Sequence, residues 1–155
     1  MSRKRLTAAL LFVALVPLSF QAQHPLKSNR REAKTITSIR AVLHAQSDAW
    51  NRGDIEGFMD GYDRSPDTEF VGGDTVTRGW QTVLERYQKK YDSREKMGVL
   101  TYSDIEINLL SKDAALVLGR WSLQRASDRP HGTFTLIFRK TKQGWRIVHD
   151  HSSSA

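Results

Sequence analysis

Between Thr35 and Asn51 the apolar residues Ile36, Ile39, Val42, Leu43, Ala49 and Trp50 recur at the spacing of one helical face, which predicts a long amphipathic helix. Gly53 follows it, and glycine takes the left-handed position past a helix end without steric cost. Asp54 is placed to cap a second, short helix that carries Ile55, Phe58, Met59 and Tyr62. Ser65-Pro66-Asp67 predicts a turn. Thr68 to Val71 then reads as a short strand, turned by Gly72-Gly73-Asp74 onto Val76 and Thr77. Trp80, Val83, Leu84, Tyr87 and Tyr91 mark a third helix, opened by Arg78-Gly79.

The second half has the pattern of strands: Val99 to Leu110, Ala114 to Arg125, Thr133 to Thr141 and Trp145 to His151. Ser-Lys-Asp, Ser-Asp-Arg-Pro and Lys-Gln-Gly connect them and suit hairpins. Helices followed by an antiparallel meander predict an α+β fold, with helices packed on one face of a curved sheet. Strict alternation along the last strand puts Trp145, Ile147 and His149 on one face and Arg146, Val148 and Asp150 on the other. The strand over Ala114 to Arg125 is likewise apolar on both faces, so both sides of the sheet are expected to be covered.

Composition alters the picture at the N-terminus. Arg3-Lys4-Arg5 precedes an apolar run from Leu6 to Phe20, the layout of a secretory leader ending near Ala22. Residues 1–22 are therefore expected to be a signal peptide that leaves no membrane span after processing, and the protein to be exported to a periplasmic or extracellular space. Residues 23–34, polar and basic with Pro25, are expected to be a flexible spacer before a domain over residues 35–153. The net charge of +7 has the same origin, since from Thr35 onward there are 17 basic and 16 acidic residues. Nucleic-acid binding, which needs basic residues clustered within the fold, is not expected. The chain has no cysteine, so the domain must hold together by packing.

Ala49-Trp50-Asn51-Arg52-Gly53-Asp54 with Phe58 and Tyr62, then Thr77-Arg78-Gly79-Trp80, then the ending from Trp145 to Ser153 resemble the nuclear transport factor 2-like superfamily. Within it the pattern is most similar to SnoaL-like domains of unknown function related to the association domain of calcium/calmodulin-dependent kinase. The resemblance covers about Thr35 to Ser153. It implies a cone in which three helices close over a curved sheet around a pocket, and pairing of two copies through the other sheet face. It also implies that Arg120 matches a pocket arginine of the kinase association domain and points into the cone, with Trp121 and Leu123 on the side of a homodimer. The other pocket arginines of that domain fall on Leu136 and Ser152. The acid–base residues of the superfamily's steroid isomerases fall on Gln46 and Val71, neither of which supports that proton transfer.

On this basis Arg120 and Asp150 are expected to meet at the polar end of a ligand pocket walled by Tyr62, Phe70, Trp80 and Phe138. His149 and His151 share a strand face, but the remaining histidines supply no recognisable third zinc ligand, so no metal site is expected. There is no Gly-x-Ser-x-Gly elbow, and Gly72-Gly73-Asp74 joins two strands without entering a helix, which argues against phosphate cradling. Glu69 and Asp74 are a further carboxylate pair to locate. The expected function is an exported, dimeric small-molecule-binding domain that needs no cofactor; the alternatives are a cyclase-type or isomerase-type enzyme using Asp150 as base, and a pure association module. An Asp150 paired with Arg120 fits the first, whereas an Asp150 without a cation in an apolar surround fits the second.

Overall fold

A computed structural model describes residues 25–155; the expected leader, residues 1–22, lies outside them. The helices are α1 Pro25–Arg52, α2 Ile55–Met59, α3 Trp80–Lys90 and α4 Arg94–Met97. The strands are β1 Glu69–Gly72, β2 Thr75–Arg78, β3 Val99–Leu109, β4 Ala114–Gln124, β5 His131–Thr141 and β6 Gly144–Ser152. They form one six-stranded sheet in the order β2-β1-β6-β5-β4-β3, antiparallel except where β1 joins β6 in parallel. The fold is α+β, with the helices on the concave face of the sheet.

Two helical features differ from expectation. α1 begins at Pro25, so most of the expected flexible spacer is helical. Proline fits the first turn, where its missing N–H has no partner to lose, and the Lys, Arg, Glu and Ala residues that follow favour helix. α4 was not expected; Ser93 caps it by accepting from the Lys96 N–H, and Gly98, at φ 64°, ends it.

The junction of α1 and α2 works as the sequence predicts. The Gly53 N–H donates to the Trp50 carbonyl and the Asp54 N–H to that of Ala49, the paired bonds of a Schellman end with Gly53 at φ 85°. Asp54 then accepts from the Gly57 N–H at 2.7 Å and starts α2. Arg94 donates to the carbonyls of Trp50 and Asn51 and so satisfies the end of α1.

Two bulges shape the sheet. In β3, Asp104 and Ile105 oppose Gly119 alone, and Asp104 takes φ 52°. In β6, Val148 is the extra residue: Ile147 pairs with Phe138 but His149 pairs with Ile137. Each bulge bends its strand and reverses the alternation beyond it. Trp145 and Ile147 therefore face the helices, and so do Asp150 and Ser152. Strict alternation had separated these pairs. The core between the layers includes Ile39, Met59, Val83, Val117, Phe138 and Ile147, each with essentially no exposed surface. Burying each large side chain of this set stabilises the fold by roughly 1.5–3 kcal/mol.

Candidate functional site

After α2 the chain runs beside β6. The Ile147 N–H donates to the Gly61 carbonyl and the Asp63 N–H to the Ile147 carbonyl, at 2.9 Å each. This short parallel pairing places Tyr62 next to the part of β6 that the Val148 bulge has turned inward. The Tyr62 hydroxyl donates to Asp150 Oδ2 at 2.8 Å, and the Ser152 hydroxyl donates to Oδ1 at 2.7 Å. Asp150 is 7% exposed and has no cationic partner within ion-pair distance among the described residues.

Burial pushes the Asp150 carboxyl above its ordinary range, and the hydrogen bonds from Ser152 and Tyr62 only partly oppose the shift. Burial, followed by the nearby Asp150 charge, also raises Tyr62, Tyr87 and Tyr102. Their phenols therefore stay protonated, as hydrogen-bond donors, throughout the physiological range. The hydroxyls of Tyr87 and Tyr102 have no hydrogen-bond partner among the described residues.

These groups surround a cavity of about 190 Å³ that is open to solvent at one side. Tyr62 and Asp150 line it, together with Tyr87, Tyr91, Tyr102 and Trp121 among others. Its walls are braced by ring contacts: Trp50 meets Tyr91 edge-on at 4.7 Å, and Tyr87 stacks on Tyr91 at 5.6 Å. Arg86 and Lys90, on the exposed flank of α3, stand at the mouth.

The other expected site residues lie elsewhere. Phe70 is a layer behind, packed on Tyr62 at 4.5 Å. Trp80 is buried and donates its indole N–H to the Met59 carbonyl at 2.8 Å, with the Arg64 guanidinium 4.3 Å over its ring. Phe138 is fully buried in the core. The expected Arg120–Asp150 pair does not form. Arg120 is on the convex face, 60% exposed, with Nε 3.3 Å from Asp104 Oδ2. Trp121 and Leu123, expected at a dimer face, line the cavity instead. On β4 the packed face is that of Ala115, Val117 and Gly119, which puts Arg120 outside, where its charge remains hydrated.

His149 and His151 face the convex side, where His149 Nδ1 donates to Glu69 Oε2 at 3.1 Å. Glu69 also accepts from Arg78 at 2.9 Å, and the bonds from His149 and Arg78 hold its carboxyl below the ordinary range. Asp74 is exposed in the β1–β2 turn, so the two carboxylates do not form an acid–base pair. Among the described residues no three His, Asp or Glu side chains converge as metal ligands. Gln46 is buried and donates to the Phe58 carbonyl at 3.1 Å.

A family model described as a SnoaL-like domain matches residues 39–155. The chain belongs to the SnoaL-like domain family. The SnoaL-like domain is 39% identical to an NTF-2 like protein of unknown function from Shewanella oneidensis MR-1, whose crystal structure it matches with a TM-score of 0.74 over 76% of this chain and 98% of that one. A ketosteroid isomerase-like protein from Erwinia carotovora atroseptica SCRI1043 is 21% identical, with a TM-score of 0.60 over 76% and 94% of the two chains. An NTF2-like superfamily protein from Salmonella enterica serovar Typhimurium LT2 is 20% identical, with a TM-score of 0.61 over 82% and 92%. These last two likenesses concern the fold. No curated protein gives a significant match.

The sequence pattern places Tyr87 and Tyr91 on a helix face and gives Tyr102 no role in the site. The i, i+4 repeat of Arg86-Tyr87 and Lys90-Tyr91 was the available signal, because it puts two cations beside two phenols on one flank of α3.

Proposed function

We propose that this SnoaL-like domain carries out proton transfer on a small carbonyl compound held in the cavity, with Asp150 as the acid–base group. The observation that supports this reading is a buried carboxylate without a counter-ion at an open cavity, held by Tyr62 and Ser152 and raised in basicity. A structural ion pair would give such a group a cation; a general base benefits from its absence.

The chemistry follows from the arrangement. Ionised Asp150 takes a proton from carbon next to the carbonyl, so a C–H bond breaks and an O–H bond forms on the carboxylate. The electron pair moves onto the carbonyl oxygen, where a phenol O–H of Tyr87 or Tyr102 stabilises the enolate. If the enolate is conjugated with a C=C bond, Asp150 returns the proton at the γ-carbon, an isomerisation; otherwise the enolate carbon attacks a second carbonyl of the same molecule, whose π bond breaks and whose oxygen takes the proton back from Asp150, a cyclisation. Tyr62 and Ser152 are positioning residues that hold both carboxylate oxygens.

Export is proposed from the basic start and apolar run within residues 1–22. Dimerisation is proposed through the convex face, where Leu116 pairs with Ile137, and Leu118, two residues further along the same face and paired with Thr135, is 41% exposed. Trp121 and Leu123 have no part in it. An open cavity speaks against a function in association alone.

Deuterium exchange at the α-carbon of a panel of small ketones, followed by proton NMR, tests the catalytic reading. The protein should accelerate exchange for at least one member, and Asp150→Asn should lower that rate by about 10²–10⁴-fold. An exchange rate unchanged by Asp150→Asn would refute the role of Asp150.

A further inference from the structure

The cavity is electrically asymmetric. At its floor is Asp150; at its mouth are Arg86 and Lys90, one turn apart on α3. Neither cation has a carboxylate within ion-pair distance among the described residues. Arg86 uses Nη1 on the Thr77 hydroxyl, at 2.7 Å, which steadies the guanidinium and leaves its remaining donors unused. The Lys90 ammonium rests 5.2 Å over the Tyr91 ring, at the edge of the opening. Neither Arg86 nor Lys90 forms an ion pair with Asp150, so the mouth cations and the buried acid are separate poles.

Size narrows the ligand further. A void of about 150 Å³ accommodates benzene, and this one is about 190 Å³. It has room for one substituted ring, flanked by Tyr87, Tyr91, Tyr102 and Trp121. A fused polycycle would protrude from it.

We infer that the substrate is a small, single-ring organic acid whose carboxylate is held at the mouth by Arg86 and Lys90 while its carbonyl end reaches Asp150. The inference rests on the proton-transfer reading and adds both the substrate class and its orientation. An acid group at the floor would meet the Asp150 charge and be repelled, so the ligand enters in one direction only. The mouth cations thus serve specificity and capture, with no part in the chemistry.

A matched pair of probes tests this: 4-acetylbenzoate, with a carboxylate and a methyl ketone at opposite ends, and the neutral 4-acetylbenzamide. Binding is followed by fluorescence of Trp50 and Trp121, which line the cavity. The acid should bind about tenfold or more tightly than the amide at low salt, with the preference shrinking as salt rises. The double variant Arg86→Gln, Lys90→Gln should bring the acid down to the affinity of the amide while leaving amide binding unchanged. Equal binding of the two probes, survival of the preference in the double variant, or no binding of either at millimolar concentration overturns the inference. Deuterium exchange at the acetyl methyl of bound 4-acetylbenzoate is scored separately. If the acid preference holds and depends on Arg86 and Lys90 but no exchange occurs, the charge-based site stands and the proton-transfer reading falls.

Discussion

Tyr62→Phe removes one oxygen from the floor of the cavity and leaves the ring packing on Phe70 and Phe58 intact. The lost hydroxyl donates to Asp150 at 2.8 Å, and both side chains are buried, 3% and 7% exposed. A hydrogen bond to a buried charged group contributes about 1.5–3 kcal/mol, and one between neutral groups about 1 kcal/mol. At neutral pH the variant should therefore lose about 1.5–3 kcal/mol, a fall in unfolding temperature of roughly 5–10 °C. At acidic pH, with Asp150 neutral, the loss should shrink to about 1 kcal/mol.

The sign for Asp150 itself follows from linkage. Its folded-state carboxyl lies above its ordinary value of 3.8, so the native state binds the proton more tightly than the unfolded chain. Stability from this group is full below the ordinary value and is lost as pH rises through the folded-state value. Asp150→Asn removes that loss: the variant should be more stable than the wild type at neutral pH and converge with it in acid. Urea unfolding of the wild type, both single variants and the double variant, from acidic to neutral pH, completes the cycle. The coupling between Tyr62 and Asp150 should be about 0.5–2 kcal/mol at neutral pH and vanish in acid. Coupling within a few tenths of a kcal/mol of zero at neutral pH, or a destabilising Asp150→Asn there, would refute the reasoning.

Gly119→Ala should destabilise by about 1–3 kcal/mol through overpacking, because its Cβ would stand 2.5 Å from Phe134 Cζ and 2.6 Å from Ile105 Cδ1. Phe134 lines the cavity, so probe affinity should fall along with the denaturation midpoint. Leu118→Lys should convert the proposed dimer to a monomer in sedimentation while leaving binding of 4-acetylbenzoate unchanged. A dimer that survives the change would place the interface elsewhere.

The helical half was legible because its signals are local. The 3.6-residue spacing from Ile36 to Trp50 needs no partner to be read, nor do the turn at Gly53 and the cap at Asp54. The strands were legible as strands, but the facing of their residues was not. Alternation predicts facing only in an unbroken strand, and nothing in Ile147-Val148-His149 announces that Val148 will bulge. The bulge brings Trp145, Ile147, Asp150 and Ser152 to one side. Unbroken alternation would instead group Asp150 with Arg146 and Val148.

The choice between Arg120 and Trp121 had the larger consequence. Both faces of β4 carry aliphatic residues, Leu116 and Leu118 on one and Val117 and Leu123 on the other, so hydrophobicity does not say which side is packed. With Arg120 inside, Asp150 would have had a counter-ion, and the pair would have been sufficient reason for burying both. With Arg120 outside on Asp104 and Trp121 inside, Asp150 is left as a group whose ionisation the fold resists. An ordinary core position would favour an apolar residue or a neutral amide there. A buried acid that weakens the fold at neutral pH, beside a void and three protonated phenols, is a local conflict of the kind that marks function. A carboxylate left without a cation at that void suits the proposed general base, whereas an Arg120 pair would have suited binding alone.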